Sequence, residues 1–247
     1  MSNRVFQFES LQHFPELVHG ISRRYNKAGQ SWNMSFDFES PKQVLAHRSG
    51  LQKALRISSE VLVEANQTHG DRIFSFRNGE PLPEKCIKNV DAFLSDSHGI
   101  YFMIKTADCQ SIFLYDPVKR VFGVVHSGWR GSLQNIVGQS VQKMVDDFGG
   151  VASDIRAAVG PSLGPCCAAF TDPDRELSEK ALPYLSEGNR VDFWSMTRAQ
   201  LEQEGVLSKH IEIVKICTAC HTQDWFSHRG DKEKPGRMGS VIGLRVA

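Results

Sequence analysis

Long apolar runs are missing: no segment of this 247-residue chain approaches the roughly 20 residues that a membrane-crossing helix requires. The first twenty residues, MSNRVFQFESLQHFPELVHG, lack the continuous apolar stretch of a signal peptide, so the expected location is the cytosol. An excess of either charge is also missing. Lys and Arg total 29 against 28 Asp and Glu, which argues against a nucleic-acid or membrane partner held by bulk charge; charge recognition has to be local. There is no low-complexity tract, no repeat and no long run of like charge, so no linker is marked and a single domain over residues 1–247 is expected. Six cysteines without an export signal point to thiols or metal ligands and away from a disulfide framework.

What is present is an ordinary apolar fraction, 40%, enough for a sizeable core. GIYFMIKTA, SIFLY, VFGVVHS, DIRAAVG, HIEIVKIC and MGSVIGLRV are short, rich in β-branched and aromatic residues and bounded by turn formers, so they are predicted strands; VLVEA near residue 63 is another. SLQNIVGQSVQKMVDDFGG places Leu133, Ile136, Val137, Val141, Met144, Val145 and Phe148 at helical spacing, with Gly149 as a stop. Further helices are predicted in SPKQVLAHRSGLQKALR, DPDRELSEKAL and SMTRAQLEQEG. Strand pairs separated by helices give an α+β or mixed α/β domain with helices packed on sheet faces; the pattern alone leaves the topology open.

KTADCQSIFLYDPVKRVFGVVHSGWRG reads as a hairpin carrying a thiol on one arm and an imidazole on the other. With a four-residue loop at 116–119, Tyr115 faces Arg120 and Cys109 faces His126. Opposed residues of an antiparallel pair share a face, with Cβ atoms about 4.5–5.5 Å apart, so the two could share one zinc ion or one proton. A one-residue slip would separate them onto opposite faces. The alternative is plainer: a small buried thiol and a hydrogen-bonded strand-end histidine.

His69, in the polar turn EANQTHGDRI after the VLVEA strand, supplies a third ligand type, and one Cys with two His is the set a catalytic zinc uses when a fourth position stays open. Asp108, beside the cysteine, is either a base or His-orienting carboxylate, or else a solvated turn cap. HSGWRGS leads into a helix, so its backbone N–H groups and Arg130 would favour an anion, unless Trp129 and Arg130 serve only packing and an ion pair.

The motifs NQTHGD, TADC, VVHSGWRGS, GPSLGPCC and FSHRGD…GRMGSVIGL, in this order, resemble the YfiH-like family, also called the laccase-domain or multicopper polyphenol oxidoreductase family. HGISRR is similar to that family's HGxSTR segment, with Arg23 in place of Thr and Arg24 matching its arginine; SWNMS resembles its SLN segment and matches Asn33. The resemblance implies an α+β fold, a four-layer α/β/β/α sandwich with mixed sheets, distantly similar to the catalytic domain of cytotoxic necrotizing factor toxins, where a Cys/His pair deamidates glutamine. It implies metal ligands at His69, Cys109 and His126, with zinc as the ion and copper as the alternative. It implies small-molecule partners, a nucleoside and phosphate: phosphorolysis of adenosine, inosine, guanosine and 5′-methylthioadenosine, and adenosine deamination, with Arg24, Asn33 and Arg130 on the substrate and Cys109, His126 and Asp108 in catalysis. Muropeptide editing by a Cys-His amidohydrolase and copper-dependent phenol oxidation are the rival activities. The nine histidines do not form the HxH pairs of a multicopper oxidase. The chain departs from the family pattern at Cys166-Cys167-Ala168-Ala169-Phe170, where CCYEV is common, and at RYNKAGQ, which lacks the usual double glycine.

CTACH, Cys217 to His221, formally fits a haem-attachment pattern, but without an export signal two strand-end thiols are the expectation, with a second zinc or a redox pair as alternatives. Adjacent Cys166 and Cys167 do not bridge each other without strain. Arg229 and Arg237 lie in a Gly-rich, charged tail, as solvated charges or phosphate contacts.

Overall fold

Strands as continuously apolar as GIYFMIKTA, SIFLY and VFGVVHS require two buried faces, and the computed structural model supplies both. It describes residues 5–57, 61–232 and 235–246. Its strands, numbered along the chain, are β1 (Val5–Phe6), β2 (Leu17–Ser22), β3 (Leu62–Asn66), β4 (Ile73–Phe76), β5 (Cys86–Lys88), β6 (Ala92–Ser95), β7 (Tyr101–Thr106), β8 (Gln110–Asp116), β9 (Val121–Ser127), β10 (Arg156–Val159), β11 (Leu185–Ser186), β12 (Arg190–Val191), β13 (Ile211–Ile213) and β14 (Met238–Leu244). The helices are α1 (Glu9–Gln12), α2 (Pro41–Leu55), α3 (Trp129–Leu133), α4 (Ile136–Phe148), α5 (Pro173–Glu176), α6 (Phe193–Gln203) and α7 (His228–Asp231). One mixed sheet runs β1-β2-β14-β7-β3-β5 and a second runs β13-β10-β8-β9-β6-β4; β11 and β12 form a separate small hairpin.

Residue parity shows how the layers stack. Phe102 and Ile104 of β7 and Ile242 and Leu244 of β14 meet Phe113 and Tyr115 of β8 and Phe122 and Val124 of β9 in one buried cluster between the sheets. Phe93 and Phe102 stack there with centroids 4.5 Å apart. The opposite parity of the second sheet, Ile112, Leu114, Val121 and Val125, packs with Val137, Val141 and Met144 of α4 and Leu201 of α6. The opposite parity of the first, Tyr101, Met103 and Val241, packs with Leu51 and Leu55 of α2. The result is the α/β/β/α sandwich, with each sheet covered on both faces. Strand β14, the last in the chain, lies inside the first sheet, hydrogen-bonded to β2 on one side and β7 on the other. Among the described residues no helix is long and apolar enough to cross a membrane.

All six strands predicted from composition form, and VLVEA becomes β3. The helix predicted from SLQNIVGQSVQKMVDDFGG is two helices: Asn135 takes a left-handed φ of 61° and its side chain accepts from the Gly138 N–H, so it caps α4 and breaks continuity with α3. DPDRELSEKAL yields only α5 and a short 3-10 segment at Glu179–Tyr184, which contains Pro183. The composition does not predict β1, β2, β4, β5, β6, β11 or β12. β2 is fully buried although its sequence, LVHGIS, includes His19 and Gly20.

His19 is 1% exposed, and its Nε2 accepts the Phe8 N–H at 3.0 Å. Burial disfavours the imidazolium and lowers its pKa from 6.5 to about 4. The unfolded chain therefore takes up a proton between these values that the native state refuses, so stability falls as pH drops through 6.5 and levels off below 4. We expect this residue to remove at most about 3 kcal/mol over that window; urea midpoints at pH 7 and pH 4.5 measure it, and His19→Gln should flatten the slope.

Candidate metal centre

Two of the three expected ligands sit where the chain crosses from the first sheet to the second. His69 lies in the connection from β3 to β4, and Cys109 lies between β7 and β8; His126 is near the end of β9, in the inward-facing row of Phe122 and Val124. Both crossings are tight. His69 has φ 59° and Asp108 has φ 86°, left-handed values that cost a non-glycine residue on the order of 1 kcal/mol and persist only where the surroundings hold them.

The hairpin register differs from the one predicted. Asp116 does not open the loop: it pairs with Val121, while its Oδ1 accepts the N–H groups of Val118 and Lys119, so the loop is residues 117–120 with Arg120 at φ 55°. Tyr115 consequently faces Phe122, and Ser111, not Cys109, faces His126. A shift of two preserves parity. Cys109 therefore stays on the His126 side, one step beyond the last paired residue, Gln110.

The donor atoms of His69, Cys109 and His126 all lie within 4.8 Å of one another. The two imidazoles meet edge to face, with centroids 4.8 Å apart. The three grade from interior to surface: His126 is 2% exposed, Cys109 partly exposed and His69 exposed, so the centre opens on the His69 side. Burial alone would raise the Cys109 thiol, but His126 and then His69 overcome it and bring the pKa down to about 6. Burial would likewise lower His126; the Cys109 thiolate and Asp91 raise it to about 9. Each of the two charged forms favours the other.

Asp91 organises this site and was missed in the sequence. It is 0% exposed, and its Oδ1 accepts from His126 Nδ1 at 2.8 Å and from the His69 N–H at 3.0 Å. Its Oδ2 accepts from the Thr68 N–H, the Thr68 hydroxyl and the Gly70 N–H. Burial would raise this carboxyl, yet the His126 and backbone bonds hold it below the usual carboxylate range. With Nδ1 engaged, His126 is left with Nε2 for the centre. The clue in the sequence is an acid among apolar neighbours, NVDAF, where burial without a partner would be costly.

Asp108 does not orient either histidine. Its carboxylate accepts from the Thr218 and Ser227 hydroxyls and the Arg229 N–H, each at 2.6 Å, so it ties the C-terminal loop to the residue next to Cys109. Arg130 is exposed on the short α3, its guanidinium 4.2 Å from the centroid of Trp129. Arg24 and Asn33 come together elsewhere. They line a cavity of about 300 Å³ with Ser31, Phe226 and Asp231, a wall that does not include the three ligands. Arg24 donates to Asp231 and to the Thr222 carbonyl, and Asn33 is spent on the backbone of Ser35 and Arg237. The Arg229 guanidinium donates to the Ala169 carbonyl and that of Arg237 to the Pro235 and Gly236 carbonyls.

Gly128 forms the floor of the centre. A Cβ there would lie 3.0 Å from His69 Cδ2, 3.3 Å from Cys109 Sγ and 3.8 Å from His126 Cε1. Its φ of −76° suits any residue, so a side chain would act by contact alone. Gly128→Ala is expected to weaken metal binding and lower kcat/KM about tenfold, the effect of roughly 1.4 kcal/mol of crowding; metal titration beside steady-state kinetics checks it.

A donor set of one thiolate and two imidazoles, one of them braced by a carboxylate, fits zinc or another soft divalent ion. Residues 16–245 match the family model described as multi-copper polyphenol oxidoreductase laccase. A curated relative, purine nucleoside phosphorylase YlmD of Geobacillus stearothermophilus, is 32% identical over 82% of this chain and 79% of its own length. The Bacillus subtilis protein of the same name is 29% identical over 83% of this chain and 78% of its own. Among solved structures, hypothetical protein YfiH of Bacillus licheniformis superposes with a TM-score of 0.87 at 26% identity, covering 99% of this chain and 97% of the other.

Proposed function

Because the chain belongs to the multi-copper polyphenol oxidoreductase laccase family, and curated relatives are named purine nucleoside phosphorylases, we propose that it is a metal-dependent purine nucleoside phosphorylase that also deaminates adenosine. The convergence of His69, Cys109 and His126 within 4.8 Å carries this reading. A zinc ion held by these three would polarise an oxygen of phosphate or water.

The chain's own residues do the rest. Asp91 fixes the ring of His126 and, through its bonds to the backbone at 68–70, the position of His69. Gly128 keeps the floor open for an incoming oxygen. In phosphorolysis a phosphate oxygen bonds to ribose C1′ as the glycosidic C–N bond breaks, and the base leaves with a proton. In deamination water adds at purine C6 and ammonia departs with a proton from an acid. Copper oxidation of phenols fits less well: among the described residues the groups able to share an ion are this one and a set of four thiols, neither a multi-histidine cluster.

The test is incubation of metal-replete protein with inosine or adenosine and phosphate, followed by chromatography. Free base and ribose 1-phosphate, with inosine from adenosine, are expected. No product above the Cys109→Ala background would overturn the proposal.

One observation favours a second reading. Cys109, His126 and Asp91 place a thiol, an imidazole and a carboxylate in series, an arrangement suited to a cysteine amidohydrolase. Activity on an amide or muropeptide substrate that survives chelation and is lost to iodoacetamide would select it.

A further inference from the structure

Two cysteine pairs that are far apart in sequence meet in space. Cys166 and Cys167 end the GPSLGPCC loop, and Cys217 and Cys220 form a Cys-x-x-Cys pair in CTACH; the four sulfurs all lie within 4.8 Å of one another. We propose that they form a second metal site, a tetrathiolate that holds a structural zinc ion, separate from the His69, Cys109 and His126 centre.

The sulfur spacing favours an ion over a bond. Cys166 Sγ is 3.6 Å and Cys167 Sγ 3.5 Å from Cys220 Sγ. Four sulfurs around zinc at about 2.3 Å stand roughly 3.8 Å apart, whereas a disulfide requires about 2.05 Å. Four thiolates fill a tetrahedron and leave no place for water or substrate, which marks a structural site; the two-imidazole, one-thiolate centre is open by comparison.

The backbone around the cluster is arranged for the same purpose. The two segments are joined beforehand: Ser162 pairs with Cys217 as an isolated parallel bridge, with Ser162 N–H to the Ile216 carbonyl and Thr218 N–H to the Ser162 carbonyl, each at 3.1 Å. Gly164 has no room for a side chain, since its Cβ would lie 2.6 Å from Trp194 Cη2 and 3.1 Å from Cys217 Cβ. Cys217 is buried while Cys166 and Cys220 are exposed, so an ion can enter from solvent.

An ion here would clasp two loops that bear on the first centre without entering it. The GPSLGPCC loop is held by the Leu163 N–H on the Asp108 carbonyl, and the segment after Cys217 by the Thr218 hydroxyl on the Asp108 carboxylate. Asp108 immediately precedes Cys109.

The test uses a His69→Ala/Cys109→Ala protein, purified under reducing conditions without added metal, so that the first centre is disabled. Native mass spectrometry and elemental analysis are expected to give one zinc per chain. Replacing it with cobalt(II) should produce the intense sulfur-to-cobalt charge-transfer absorption of a tetrathiolate, and X-ray absorption of the zinc form should give sulfur neighbours only, at about 2.3 Å. Cys220→Ser, at an exposed position, should remove that zinc and the cobalt spectrum while the first centre of an otherwise native chain still binds its ion. A double variant that holds no zinc and develops no thiolate–cobalt absorption would overturn the proposal. So would a mass two hydrogens low with the cysteines paired as a disulfide, or nitrogen and oxygen neighbours at the metal.

Discussion

Alanine in place of Cys109 should reduce kcat/KM for nucleoside with phosphate on the order of 1,000-fold, at the upper end of what removal of one preorganised group costs. Two losses coincide. The only sulfur donor of the triad disappears, and with it the negative charge that faces His126 and His69. Metal content, measured with the four-thiol cluster accounted for by a Cys220→Ser background, should fall in parallel with rate. Cys109→Ser retains size and polarity, and is expected to lose metal almost as severely, because a hydroxyl does not ionise at neutral pH as the thiol does. A serine variant within tenfold of the parent would place the chemistry elsewhere.

Asp91→Asn should combine a catalytic with a structural defect. The carboxylate accepts five hydrogen bonds, shared between both oxygens, and donates none. An amide has one oxygen. Whichever way it turns, its NH₂ group opposes either the Thr68 and Gly70 N–H groups or the His69 N–H and the His126 ring. Leaving buried donors unpaired costs about 1–3 kcal/mol each, so a loss of about 2–4 kcal/mol in stability is expected from urea unfolding. Loss of an outer carboxylate typically lowers metal affinity or activity 10- to 100-fold. Thr68→Val, which removes one of the five bonds, is expected to be much milder in both measurements; equal behaviour of the two variants would argue against Asp91 as the organiser.

The order in which information became legible follows from its range along the chain. β-branched and aromatic composition acts within a strand, and it located seven strands of the two sheets. Hairpin pairing also located the face of Cys109 and His126 despite an error of two in register, because parity survives an even shift. Local hydrogen bonding by side chains was harder to read. Asn135 capping its own helix and Asp116 closing its own turn each moved a boundary. Contacts between distant segments left little local trace, in the case of Asp91 only an acid among apolar neighbours. Asp91 lies 35 residues from His126, and Cys220 lies 54 from Cys166. β2 carries His19 and Gly20, and nothing nearby announces that both of its faces are covered. The likeness to a family implied the same three candidate ligands that the residues had suggested, and the sandwich, yet not the carboxylate that hydrogen-bonds to His69 and His126.

The interior position of β14 has a consequence for biosynthesis. Its neighbours, β2 and β7, are made before it, and until Met238–Leu244 leave the ribosome tunnel nothing bridges them. The first sheet therefore cannot close, nor the inter-sheet hydrophobic cluster be sealed, until β14 has been made and has cleared the ribosome. A ribosome stalled ahead of β14 would hold a chain with two exposed β edges, a natural substrate for holding chaperones.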